Sequence, residues 1–176
     1  MKAKDYDRSV LKTEAIDFTG IKKRLLRPLL EVMVVELATV RASCLKLDQV
    51  KKHLFYGKAI GDNLDSGDQV HGLSDRDLRL LHGLLGLLTE STEMIDGLRI
   101  DLSEKITMTP DLVNVSEEVG DMLWYASVLC QASESGLDVA MVKNIAKLKK
   151  RYGRSFSEKK AINRDIEAER KILEKK

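Results

Sequence analysis

The sequence predicts an all-α fold: a four-helix-bundle-like core with an N-terminal helical region and a C-terminal helical tail. Three observations carry that expectation. Apolar residues recur at three- and four-residue spacing through most of the chain. Aromatics are only 5% of the residues and there are two prolines, so strand formers and helix breakers are both scarce. The connections between periodic stretches are short, which packs neighbouring helices antiparallel. With 176 residues, 43% of them apolar, the chain is long enough for one domain with its own core.

Residues 1–20 are polar and aperiodic and read as a flexible arm. Residues 21–176 are then a single domain whose core runs from about 74 to 165. From Ile21 to Leu45, positions such as Leu26, Leu29, Leu30, Met33 and Leu37 share helical spacing. Pro28, tolerated in a first turn, marks the helix start. A shorter helix follows over about Leu47 to Lys58. Gly57 to Gly72 is dense in Gly, Asp, Asn and Ser and reads as a loop. Ser74 is a good N-cap with Asp75 and Asp77 in the first turn behind it, and this helix runs to about Leu102. Ser103 to Asn114 connects it to a helix over about Val115 to Ser135, stopped by Gly136. The next helix covers about Asp138 to Tyr152, stopped by Gly153, and Ser157-Glu158 opens a last helix that reaches the C-terminus.

A net charge of +2 gives no nucleic-acid surface to the chain as a whole. The excess of Lys and Arg from Lys143 to Lys176 suggests an anionic ligand or a partner surface, and for any single lysine a solvated helical face serves equally. Cys44 and Cys130 have no metal or redox spacing and read as reduced core residues. There is no leader-like apolar segment and no run of membrane-spanning length, so the expectation is a cytoplasmic protein with no membrane partner.

Among 28 acidic residues, pairs at i, i+3 arise by chance. Glu14/Asp17, Asp62/Asp65, Asp65/Asp68, Glu93/Asp96 and Asp101/Glu104 are such pairs. Glu90/Glu93 and Glu118/Asp121 differ in lying within strongly apolar helical stretches, where both carboxyls of a pair point the same way. Two such helices packed antiparallel would gather four carboxylates, and a hard divalent cation would relieve their repulsion. By spacing alone, metal ligands and ordinary exposed acids stand level. Gly83, Gly86 and Gly97 lie near the acidic stripe, where small residues leave room for a ligand. A di-iron bundle would need Glu-x-x-His on two helices. His53, His71 and His82 do not follow a Glu at that spacing, and they read as surface or loop residues. Asn144, Lys147 and Arg151 share a helical face that suits phosphate oxygens. Trp124 and Tyr125 are expected to pack in the core.

The order Glu90-x-x-Glu93, a spacer, Glu118-x-x-Asp121, then Asn144-Ile145-Ala146-Lys147-Leu148 with Arg151-Tyr152 resembles the MazG-like nucleoside triphosphate pyrophosphohydrolases of the all-α NTP pyrophosphatase group. Phe156 and Ala161-Ile162-Asn163-Arg164-Asp165 resemble the tail of phage-type members. The likeness spans about Leu78 to Asp165; residues 1–72 match only as a generic leading helical region. Thr89 stands where many members carry a further Glu, and Thr92 where a small residue is usual.

The resemblance implies hydrolysis of (deoxy)nucleoside triphosphates between the α and β phosphates. It implies Glu90, Glu93, Glu118 and Asp121 as ligands of Mg²⁺, with Mn²⁺ able to substitute, and Glu90 and Glu118 as catalytic residues. Asn144, Lys147 and Arg151 would bind the substrate, and the chain would form a homodimer or homotetramer. A dUTPase-type member of the same superfamily would keep the chemistry and change the base preference. A non-catalytic helical interaction module, binding through the basic tail, is the reading from another class.

Overall fold

The computed structural model describes residues 2–15, 18–61 and 67–174, and the chain is all-α. It divides into two compact units, one of Leu25–Glu134 and one of Met1–Arg24 with Ser135–Lys176. None of the described helices is long and apolar enough to cross a membrane.

The first of these units holds three long helices. Helix α3 (Arg27–Tyr56), the third in chain order, has Pro28 in its first turn, as its sequence predicts. It runs unbroken through the boundary expected near Leu45, because neither Gly nor Pro occurs between Pro28 and Gly57. Gly57 ends it in the left-handed region at φ 67°, a conformation glycine adopts without steric penalty. The buried residues of α3 are Leu30, Cys44 and Lys51, all on one heptad-spaced stripe. An ionisable side chain therefore occupies a core position.

Helix α4 (Asp75–Leu98) opens on a full capping box. Ser74 Oγ accepts from the Asp77 amide at 3.2 Å, and the Asp77 carboxylate accepts from the Ser74 amide at 2.9 Å. It stops before Leu102 because Arg99 turns left-handed and Ile100 and Asp101 pair antiparallel with Met108 and Thr107, strands β1 (Ile100–Asp101) and β2 (Thr107–Met108). Asp111 then caps α5 (Leu112–Ala132) by accepting from the amides of Val113 and Asn114. The buried residues of α5 are Glu118, Tyr125 and Ala132, again one heptad stripe. α4 packs against both α3 and α5.

The glycines of α4 serve this packing. A Cβ on Gly83 would meet Leu129, one on Gly86 the Tyr125 ring, and one on Gly97 the Asn114 side chain. The room expected there for a ligand is filled by α5.

The other unit combines α1 (Ala3–Thr13), α2 (Phe18–Arg24), α6 (Leu137–Tyr152), α7 (Glu158–Ile162) and α8 (Ile166–Leu173). Residues 3–13, expected to be a loose arm, form a helix that packs on α6, where the Tyr6 hydroxyl accepts from Asn144 Nδ2 at 2.9 Å. Gly136 starts α6 as its N-cap. The last helix is split in two, because Asn163 ends α7 and Asp165 caps α8 by accepting from the Ala168 amide at 2.9 Å. Met1, Ile16 and Asp17 of the expected arm, 62–66 of the expected loop and the last two residues of the expected final helix lie outside the described residues, and with them the pairs Glu14/Asp17, Asp62/Asp65 and Asp65/Asp68.

Candidate metal centre

α4 and α5 run side by side so that Glu90, two turns after Gly83, faces Glu118, which lies two turns before Tyr125. Both glutamates are buried, at 7% and 6% exposure, although carboxylates are rarely buried without a partner. One carboxylate oxygen from each of Glu90, Glu118 and the exposed Asp121 lies within 4.8 Å of the others. Glu93, half-buried one turn on from Glu90, flanks this triad. All four carboxylates singled out by the sequence thus belong to one neighbourhood in one unit, with three of them tightly gathered.

The electrostatics match the crowding. Burial pushes the Glu118 carboxyl above its ordinary range, and the charges of Glu93, Glu90, Glu117 and Asp121 push it further. Burial likewise raises Glu93, helped by Glu90 and Asp48. Among the described residues, no Lys or Arg is ion-paired to Glu93, Glu118 or Asp121. The set offers oxygen ligands alone. Oxygens of an octahedral Mg²⁺ shell lie about 3.0 Å apart when adjacent and about 4.2 Å when opposite, so three oxygens within 4.8 Å of one another would have to draw together around an ion. The residues fit a hard divalent cation.

The sequence reading missed the third wall of this site, which α3 provides. Lys51, only 2% exposed, donates to Glu90 Oε1 at 2.8 Å and to Thr89 Oγ1 at 2.7 Å, and its ammonium lies 5.2 Å from the centre of the Tyr125 ring. Asp48 Oδ1 sits 3.3 Å from the same ammonium but makes no hydrogen bond. Burial alone would lower Lys51; Glu90, Tyr125 and Asp48 reverse that and hold it above its ordinary range. Asn114 donates to Glu118 Oε1 at 2.8 Å, while its own Oδ1 is buried without a partner. A polar pocket of about 320 Å³, lined by residues that include Asp48, Lys52, Glu93, Asn114 and Glu118, opens between α3, α4 and α5. One signal was available: Lys51 falls on the same heptad stripe as Leu30 and Cys44, where an apolar residue belongs.

Asn144, Lys147 and Arg151 lie in the other unit. Asn144 is held by Tyr6. The Arg151 guanidinium grips Glu169 with both Nε, at 2.7 Å, and a terminal nitrogen, at 2.6 Å, in a buried pair. Lys147 alone of the three makes no hydrogen bond or ion pair among the described residues. The Arg151 and Arg164 guanidiniums hold the Glu169 carboxyl down from 4.5 to about 2. Because the folded value lies below the unfolded one, that stabilisation is complete above about pH 4.5 and is lost as the pH falls toward 2. Equilibrium unfolding followed by circular dichroism across that window is expected to show the loss, and Glu169→Gln to flatten it.

Two further expectations change. Trp124 is 55% exposed rather than packed in the core, while Tyr125 is buried as expected. His82, expected at the surface or in a loop, lies on α4 and is half-buried: it stacks on Phe55 at 4.0 Å and meets Tyr56, Trp124 and Tyr125 edge-on. Cys44 and Cys130 are both free thiols. No family model, curated protein or solved structure matches the chain.

Proposed function

We propose that the chain is a cytoplasmic, Mg²⁺-dependent nucleoside triphosphate pyrophosphohydrolase of the MazG-like kind. The observation that supports this most is the convergence of Glu90, Glu118 and Asp121 oxygens within 4.8 Å at a buried helix–helix seam. Burying like charges together is costly unless a cation joins them. A bound Mg²⁺ would polarise the phosphates and lower the pKa of an attacking water. Glu90, Glu118 and Asp121 would hold it, with Glu93 completing the shell. Asn114 orients Glu118 through the 2.8 Å hydrogen bond to Oε1. Among the candidate substrate-binding residues of the other unit, Asn144, Lys147 and Arg151, Lys147 is the one that makes no hydrogen bond or ion pair among the described residues. A homodimer or homotetramer belongs to the same proposal, since α3 leaves Leu29, Val32, Met33 and Val35 exposed.

The decisive experiment incubates the full chain with Mg²⁺ and each canonical NTP and dNTP, dUTP included, and separates the products. Pyrophosphate plus nucleoside monophosphate is the expected outcome. Orthophosphate plus diphosphate, or no turnover of any nucleotide, would sink the proposal. Thermal unfolding with and without Mg²⁺ addresses the rival reading. A cation that binds only the native state raises the melting temperature by mass action, whereas a non-catalytic interaction module without the metal site gains nothing.

A further inference from the structure

We infer that the ammonium of Lys51 fills the place of a second metal ion, so that each chain holds one divalent cation. The inference rests on the metal-site reading above and adds the number of ions to it. Lys51 is surrounded as a small cation would be. Its nitrogen has three oxygen neighbours, from Thr89 at 2.7 Å, Glu90 at 2.8 Å and Asp48 at 3.3 Å, and it is almost wholly buried. Those oxygens come from two helices, α3 and α4, on one side of the cluster.

The distribution of charge makes the same point. Five carboxylates line the neighbourhood: Asp48, Glu90, Glu93, Glu118 and Asp121. On the α3 side, Lys51 pairs with Glu90 and Lys52 with Asp48, so two of the five are matched. Glu93, Glu118 and Asp121 are left without an ion-paired cation among the described residues, although Lys52 and Lys51 are near enough to act on Glu93. One divalent ion at that end leaves the whole cluster near neutrality. A second would have to share Glu90 or Asp48 with a buried ammonium and meet its repulsion directly. Lys51 is thus a positioning residue: it fixes one oxygen of Glu90 and leaves the other free for the ion on the α5 side.

Manganese is the probe, counted by the loss of the free-ion electron paramagnetic resonance signal on titration into the full chain without nucleotide. One Mn²⁺ per chain is expected at saturation. Two per chain would overturn the inference and leave the metal site standing; none would overturn both. Lys51→Ala, which vacates the position and is checked for helical content by circular dichroism in the presence of Mn²⁺, is expected to take up two, with the line broadening of a coupled pair. A folded Lys51→Ala protein that still binds one would show that the ammonium holds no metal position. Should that variant fail to fold, the wild-type count decides alone.

Discussion

If the proposed pyrophosphohydrolase reading holds, Glu118→Gln is expected to lower turnover by about 100- to 1000-fold, the equivalent of several kcal/mol of lost charge stabilisation by the proposed metal ion. The same change is expected to abolish the Mg²⁺-dependent rise in melting temperature. The geometry makes this substitution unusually clean. Glutamine keeps the length of the side chain and still offers an oxygen to Asn114 Nδ2, now 2.8 Å from Glu118 Oε1. What disappears is one negative charge, at a place where burial and the charges of Glu93, Glu90, Glu117 and Asp121 already disfavour it. The sign of the stability change follows. An acid whose folded value is raised opposes folding when ionised, so the metal-free variant should melt no lower than the parent at neutral pH, and higher if anything. Loss of activity with gain in metal-free stability separates a ligand from a residue that merely supports the fold. A variant that is both inactive and unstable would argue for the second.

The same carboxylates show how far the sequence could be read. Much of the larger unit was legible because the signals are local: Ser74 as an N-cap, Pro28 in a first turn, the Gly-rich loop from Gly57 and apolar spacing between them, although α3 was read as two helices. The acidic pairs were legible for the same reason, since i and i+3 share a face whatever surrounds them. What depends on a distant segment was not. Lys51 pairs with Glu90 across 39 positions, and although the heptad stripe sets it apart from the half-buried Lys52, nothing near it in sequence names that partner. The surroundings of Arg151 were hidden in the same way. On a helix surface it reads as a phosphate fork; beside α8 it is the partner of Glu169, eighteen residues on. Tyr6 and Asn144 meet across 138 positions, which is why residues 3–13 looked like an arm and form a packed helix. The two-residue ladder that ends α4 early was illegible too, because strands that short carry no periodicity.

Gly86 tests whether the separation of α4 and α5 is what assembles the site. A Cβ there would lie 2.2–2.3 Å from three atoms of the Tyr125 ring. The ring has little freedom to yield: its hydroxyl is hydrogen-bonded to that of Tyr56 at 2.9 Å, its edge meets Trp124 and His82, and the Lys51 ammonium lies over its face. Gly86→Ala should therefore cost about 3 kcal/mol, the upper end of the usual overpacking penalty. In the Tyr125→Ala background the obstacle is gone. The same substitution should then stabilise by about 1 kcal/mol, because alanine is the better helix former by that amount. Urea unfolding of the four proteins in the cycle measures both numbers, and the sign reversal between backgrounds is the diagnostic result. The functional consequence travels with it. Glu90 lies one turn beyond Gly86, and Glu118 two turns before Tyr125, so a wedge at this contact moves the two buried carboxylates apart. Gly86→Ala should then weaken Mg²⁺ stabilisation although it touches no ligand. If Gly86→Ala were instead as stable as the parent and bound Mg²⁺ equally well, the close approach of α4 and α5 would not be what brings Glu90 and Glu118 together.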